Sequence, residues 1–140
     1  MHTWVFKVAR NRATWRTVEL LDNQSLHHLH SVIQDAFGWD DDHLYAFFMT
    51  NKAWDRYGEY GHPVSDMRSA AKARLKNLGL QPKQKFLYIF DFGDEIRHQI
   101  TVIDQRTQEP DAKYPRILQV HGEAPPQYGE LEDEQESPEL

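Results

Sequence analysis

The chain of 140 residues contains no cysteine, which removes disulfides, thiolate metal sites and cysteine nucleophiles from consideration. It has no apolar run near the ~18 residues of a membrane span, and its opening Met1-His2-Thr3-Trp4 carries no signal-peptide pattern. The expectation is a cytoplasmic protein without a membrane partner, and the missing cysteines agree with a reducing compartment. A sustained charge imbalance is lacking too. The net charge is −6, yet residues 130–140 alone carry six of the 22 acidic residues (Glu130, Glu132, Asp133, Glu134, Glu136 and Glu139) and no basic one. The 16 acidic residues left match 16 lysines and arginines, so the body of the chain is neutral. The length suits one core, so the expected organisation is a single domain over 1–128 and an acidic, disordered tail over 129–140.

What the chain does have is alternation. Thr3–Arg10 places Trp4, Phe6 and Val8 on one face at period two, and Thr14–Leu21 resumes after a short polar connection, so the pair reads as a hairpin. Asp22 to Ser25 offer N-caps for a helix carrying Leu26, Leu29, Ile33 and Phe37, with Gly38 as its stop and His27, Gln34 and Asp35 on its wet side. His43–Met49 reads as a strand, and 51–65 as irregular with a short strand around Trp54. Asp66 or Ser69 starts an expected second helix through Leu78, with Ala71, Leu75 and Leu78 as its apolar stripe and Arg68, Lys72 and Lys76 as a basic one. Lys85–Asp91 and Glu95–Asp104 form the last two strands. After Asp104, prolines and acids dominate around a few packing residues such as Tyr114, Ile117 and Leu118. The order β-β-α-β-α-β-β predicts an α+β fold, a mainly antiparallel, roll-like sheet with helices packed on one face.

Several spaced fragments form an ordered set: Trp15-Arg16, Ser25-Leu26, Leu29-His30, Ile33, Ala36-Phe37-Gly38-Trp39, His43-Leu44, Tyr88, Asp91-Phe92-Gly93-Asp94, His98-Gln99-Ile100, Tyr114-Pro115-Arg116 and Pro125-Pro126. Their order and spacing over residues 3–128 resemble the Ri-plasmid (pRiA4b) open-reading-frame-three-like family. That resemblance implies an α/β roll and an association with mobile elements, without implying a defined activity. Two departures stand out. Ile96 occupies a position where the family usually has an aromatic, and Pro125-Pro126 is followed by Gln127-Tyr128-Gly129 instead of a carboxylate pair.

Asp91, Asp94 and His98 are the first chemical candidates. Two carboxylates and an imidazole within eight residues suit a divalent cation or acid–base work, with Asp94 and His98 as metal ligands, His43 completing the set, and His30 assisting. The competing structural reading makes Asp91 and Asp94 hairpin caps around Gly93, and places His98 on the apolar strand face between Ile96 and Ile100. His27, His28 and His30 lack the i, i+4 spacing of metal helices. Arg68, Lys72, Arg74, Lys76, Lys83 and Lys85 put six positive charges and no negative one into 68–85, a candidate phosphate surface in which Arg68, Lys72 and Lys76 would be the binding residues. Trp54, Tyr57 and Tyr60 could line a ligand groove or cap the core edge.

These signals favour a small binding or accessory module, contacting nucleic acid or a protein partner, without a cofactor, and existing as a monomer or homodimer. The alternative is a metal-dependent hydrolase or nuclease built on Asp91, Asp94 and His98.

Overall fold

In a computed structural model, which describes residues 1–125 and 127, seven strands form one sheet. The strands are β1 (His2–Asn11), β2 (Thr14–Leu21), β3 (Tyr45–Phe48), β4 (Glu59–Gly61), β5 (Lys85–Phe90), β6 (Ile96–Thr107) and β7 (Arg116–His121). Their spatial order is β4-β3-β5-β6-β1-β2-β7, and every neighbouring pair is antiparallel. The helix α1 (Leu26–Phe37) lies between β2 and β3.

The period-two pattern explains the core. Trp4, Phe6 and Val8 of β1, Val18 and Leu20 of β2, Phe86, Tyr88 and Phe90 of β5, and Ile96, Ile100 and Val102 of β6 share the large apolar cluster with Leu26, Leu29, Ile33 and Phe37 of α1. Each such side chain contributes about 1.5–3 kcal/mol when fully withdrawn from water. A smaller cluster of Ala46, Phe48, Leu87 and Ile89 lies apart from it, joined by Ala53, Met67 and Phe92.

The helix ends as its sequence requires. Ser25 accepts a hydrogen bond from the His28 amide, while the His28 ring accepts one from the Ser25 amide, a capping box in which histidine takes the usual place of glutamate. Gly38 closes it in the left-handed conformation, φ 75°. Gln34, expected on the wet side, is instead buried.

The expected α+β arrangement with two helices on one face is corrected. Among the described residues the structure is a seven-stranded antiparallel sheet with one α-helix, and the segment from Ser69 to Leu78 makes two short 3-10 turns, Ala70–Lys72 and Leu75–Asn77. The cause lies in the backbone. Ala73 and Arg74 between the turns are extended, Leu26 donates to the Ala73 carbonyl, and Leu75 and Lys76 donate to the Gln24 and Asp22 carbonyls. Groups that a helix would pair internally are claimed by the connection preceding α1, so tertiary contacts override a correct-looking periodicity. Arg68, Lys72 and Lys76 therefore do not form a helical stripe. The short strand expected near Trp54 falls at Glu59–Gly61, and β7, in a segment expected only to pack through a few side chains such as Ile117 and Leu118, pairs along β2. The expected disordered tail lies outside the described residues.

Among the described residues, no helix is long and apolar enough to cross a membrane.

Candidate functional site

The residues expected to form one cluster occupy three environments. Asp91, at φ 66°, uses Oδ1 to accept from the Gly93 and Asp94 amides at 3.0 and 3.3 Å, and its own amide donates to the Leu44 carbonyl. Aspartate tolerates this left-handed conformation better than most residues and locks the turn through its side chain. Asp94 is exposed on that turn. His98 is fully buried on the core face of β6. The Trp39 indole Nε1 donates to its Nε2 at 3.1 Å; an indole only donates, so Nε2 carries the lone pair and the ring proton sits on Nδ1, 3.4 Å from the Tyr88 carbonyl. Burial, reinforced by the nearby Arg10 charge, holds the His98 pKa well below the ordinary imidazole value. The side chain thus sits in the core as a neutral, tautomer-fixed ring.

His43 does approach Asp91. Its Nε2 lies 3.4 Å from Asp91 Oδ2 and 3.7 Å from Asp42 Oδ1, at the mouth of β3. Among the described residues, no group of three or more His, Cys, Asp or Glu side chains is arranged to hold a metal ion. Donor chemistry agrees for His98, whose Nε2 lone pair is already committed to Trp39.

A second constellation emerges where α1 crosses β3 and β5. His30 projects from α1 into the core, and its Nε2 meets Asp41 Oδ1 at 2.8 Å. Its Nδ1 meets the Tyr88 hydroxyl at 2.7 Å, and Gln34 Nε2 donates to that same oxygen at 2.9 Å. The bonding has one consistent direction: the carboxylate accepts from Nε2–H, Nδ1 accepts from the Tyr88 hydroxyl, and the hydroxyl accepts from Gln34. Tyr45 stacks on the His30 ring with centroids 3.7 Å apart, and its hydroxyl reaches His27 Nδ1 at 2.6 Å. Burial drives the His30 pKa down to about 4 despite the opposing pull of Asp41. It lowers that of His27 as well, aided by His62 and His28, and raises those of Tyr45 and Tyr88.

This buried chain opens outward. Asp41, Asp42, His43, Leu44, His62 and Val64 line an open cleft of about 440 Å³, with the aspartates half exposed. His27 and Tyr45 contact His62 edge-on, linking the cleft wall to the core. The His62 Nδ1 accepts from the Val64 amide, which places its ring proton on Nε2 and makes it a donor.

The sequence flags His43 and His30 as possible helpers, but it does not single out Tyr45, His62, Gln34 or Tyr88 as parts of a site. No spacing rule unites them, because β3 and β5 pair directly although some forty residues separate them; Tyr45 lies opposite Phe90. The basic residues are dispersed by use. Arg68 donates to the Glu59 and Tyr57 carbonyls and stacks on Tyr60, and Arg74 donates to the Asn23 carbonyl, while Lys72 and Lys76 are exposed.

Fold and site together define a small antiparallel-sheet protein with a histidine–aspartate cleft braced by one helix. The chain belongs to the plasmid pRiA4b ORF-3-like protein family, whose sequence profile matches residues 7–131. It is 29% identical over 106 residues to the uncharacterized protein y4hQ of Sinorhizobium fredii (strain NBRC 101917 / NGR234), covering 73% of this chain and 52% of the relative. The chain therefore spans about half the length of that curated relative. Its fold is shared with the crystal structure of MM3350, a protein of unknown function from Methanosarcina mazei Go1: TM-score 0.76 and 23% identity over 90% of this chain and 72% of the other.

Proposed function

We propose that this protein is a small binding module whose ligand seat is the Asp41–His43/His62 cleft, and that its partner is a protein presenting a cationic side chain. The observation that supports this reading is a concave surface carrying two half-exposed carboxylates, one of them oriented by a buried imidazole. A carboxylate held in place by an imidazole N–H is pre-organised for an ammonium or guanidinium group. The lining carries two carboxylates and no lysine or arginine, which disfavours phosphate and nucleic acid at this surface. Leu44 and Val64 supply apolar walls for the methylene stem of a lysine or arginine.

The nucleic-acid reading keeps Lys72 and Lys76 as its contacts, and both readings yield to one comparison. Fluorescence anisotropy of a labelled Lys/Arg-rich peptide and of a labelled DNA duplex is measured at low salt. The expected result is saturable peptide binding that weakens at least tenfold in Asp41→Asn with Asp42→Asn and is unchanged in Lys72→Glu with Lys76→Glu. Duplex binding abolished by the lysine reversals, with no peptide binding, would transfer the function to the basic segment. Calorimetric titration with Mn²⁺ and Zn²⁺ addresses the hydrolase reading, which requires heat that disappears in Asp94→Asn with His98→Ala.

A further inference from the structure

Trp54 is held where few residues of its size can sit. Its backbone φ is 65°, in the left-handed region that bulky side chains rarely adopt, and the residue is still 40% exposed. The loop around it is pinned from several sides. Asp55 accepts from the Thr50 hydroxyl at 2.8 Å and from the Tyr57 amide at 3.0 Å. The Met49 amide donates to the Gly58 carbonyl at 2.8 Å, and Asn51 accepts from Gln99 of β6 at 2.7 Å. Two aromatic rings brace the indole: Phe48 of β3 and Phe92 of the Asp91–Asp94 turn make edge contacts with it, at centroid distances of 5.2 and 5.0 Å. Phe48 belongs to the smaller apolar cluster, which alternation along β3 puts on the sheet face opposite α1. Backbone strain persists where the surroundings enforce it, and here it delivers an exposed indole in a fixed position.

Beside the indole lies a groove of about 610 Å³, lined by Trp54, Arg56, Glu59, Asp66 and Met67. Small-ligand sites usually measure about 300–1,000 Å³. The groove shares no lining residue with the Asp41–His62 cleft. None of the ion pairs among the described residues includes Arg56, Glu59 or Asp66. Its polar walls thus keep a guanidinium that donates and two carboxylates that accept. We propose that this groove is a saccharide-binding site, with the Trp54 ring as the platform for the C–H face of a sugar and Arg56, Glu59 and Asp66 as partners of its hydroxyls. The lining selects the ligand class. An anion meets two carboxylates and a cation meets the arginine, whereas a neutral polyol is opposed by neither. Each hydroxyl both donates and accepts, so it bonds to guanidinium and carboxylate alike. The weakly positive C–H groups on one face of a pyranose meet the negative face of the indole. Because the loop is pinned in advance, binding has little left to order. Of the neighbouring aromatics, Tyr60 is covered by the Arg68 guanidinium, 4.2 Å from its ring centroid, which leaves Trp54 as the platform.

The test is titration of the ¹⁵N-labelled full chain, followed at the Trp54 indole Nε1–H resonance. The probes are the methyl glycosides of glucose, galactose, mannose and N-acetylglucosamine, together with cellotriose and maltotriose. At least one of them is expected to shift that resonance saturably, while the indole signals of the buried Trp4 and Trp39 stay in place. Arg56→Ala and Asp66→Ala, at exposed positions where the fold tolerates the change, are each expected to weaken that binding about tenfold, as loss of a hydrogen bond to a charged group implies. No shift with any of these sugars, or an affinity unchanged in both variants, overturns the proposal. A response to choline chloride or adenosine monophosphate and to no sugar overturns it as well, and gives the groove to a cation or a nucleotide.

Discussion

His30 and Asp41 meet at 2.8 Å across the boundary of the protein, one side chain 1% exposed and the other 50%. The contact ties a wet carboxylate to the core, because the far nitrogen of His30 is held by Tyr88 and Tyr88 in turn by Gln34. Whatever binds in the cleft meets an Asp41 whose position is set from inside.

Tyr88→Phe removes a hydroxyl that serves both His30 and Gln34, and leaves both with an unsatisfied buried group. The expected cost is about 1–3 kcal/mol, read from urea unfolding. Tyr45→Phe also removes a hydroxyl, but one whose partner His27 is only part-buried, so its effect should be smaller. Equal stabilities for wild type and Tyr88→Phe would contradict the brace.

The histidines fix the sign of the pH dependence. His30 titrates near 4 in the folded chain, His98 also lies well below its ordinary value, and an unfolded histidine titrates near ~6.5. Below ~6.5 the unfolded chain takes up protons that the folded chain refuses, so stability falls as pH drops from ~6.5 toward ~4. Each neutral buried histidine contributes a slope of about 1.4 kcal/mol per pH unit in that window. Urea midpoints at pH 7, 6 and 5 should decline, and less steeply in His30→Gln. A flat profile between pH 7 and 5 would contradict the neutral, buried assignment.

Asp91 and Asp94 separate by role. Asp91→Ala loses two turn hydrogen bonds and the side chain that tolerates positive φ, at an expected cost of about 1–2 kcal/mol. Asp91→Asn keeps the acceptor and should cost less, and Asp94→Ala, at an exposed position, should lie within about 0.5 kcal/mol of wild type. A large loss in Asp94→Ala would give that carboxylate a structural part it does not have here.

Arg116→Ala leaves Glu19 as a buried carboxylate held by Thr3 alone. The expected loss is about 3 kcal/mol, with amide exchange accelerating first in β7, whose pairing to β2 includes Glu19 opposite Arg116. Uniform acceleration across the sheet would contradict a local clamp.

Much of this architecture was legible from alternation alone. Trp4, Phe6 and Val8, and likewise Ile96, His98 and Ile100, share core faces as period two requires, and Ser25 and Gly38 bound α1 as capping chemistry requires. The second helix was misread because Ala71, Leu75 and Leu78 fit a helical stripe while the hydrogen bonds deciding the outcome lie with Asp22, Gln24 and Leu26, far away in sequence. The ordered fragments led to the family, since His30, Tyr88 and His98 recur among them as the polar groups of the core. Their partnership was not legible. It depends on Tyr88 and Tyr45 facing α1 from paired strands, and on Asp41 at φ 53° delivering its carboxylate to His30.

The cleft itself is tested most directly by titrating ¹⁵N-labelled protein with a short Lys/Arg-rich peptide at low salt. Saturable shifts are expected at the amides of Asp41, Asp42, His43, Leu44, His62 and Val64, lost in Asp41→Asn with Asp42→Asn while the remaining spectrum stays folded. Absent shifts, or shifts centred on Lys72 and Lys76 and unaltered in that variant, would contradict the assignment of the cleft as the ligand seat.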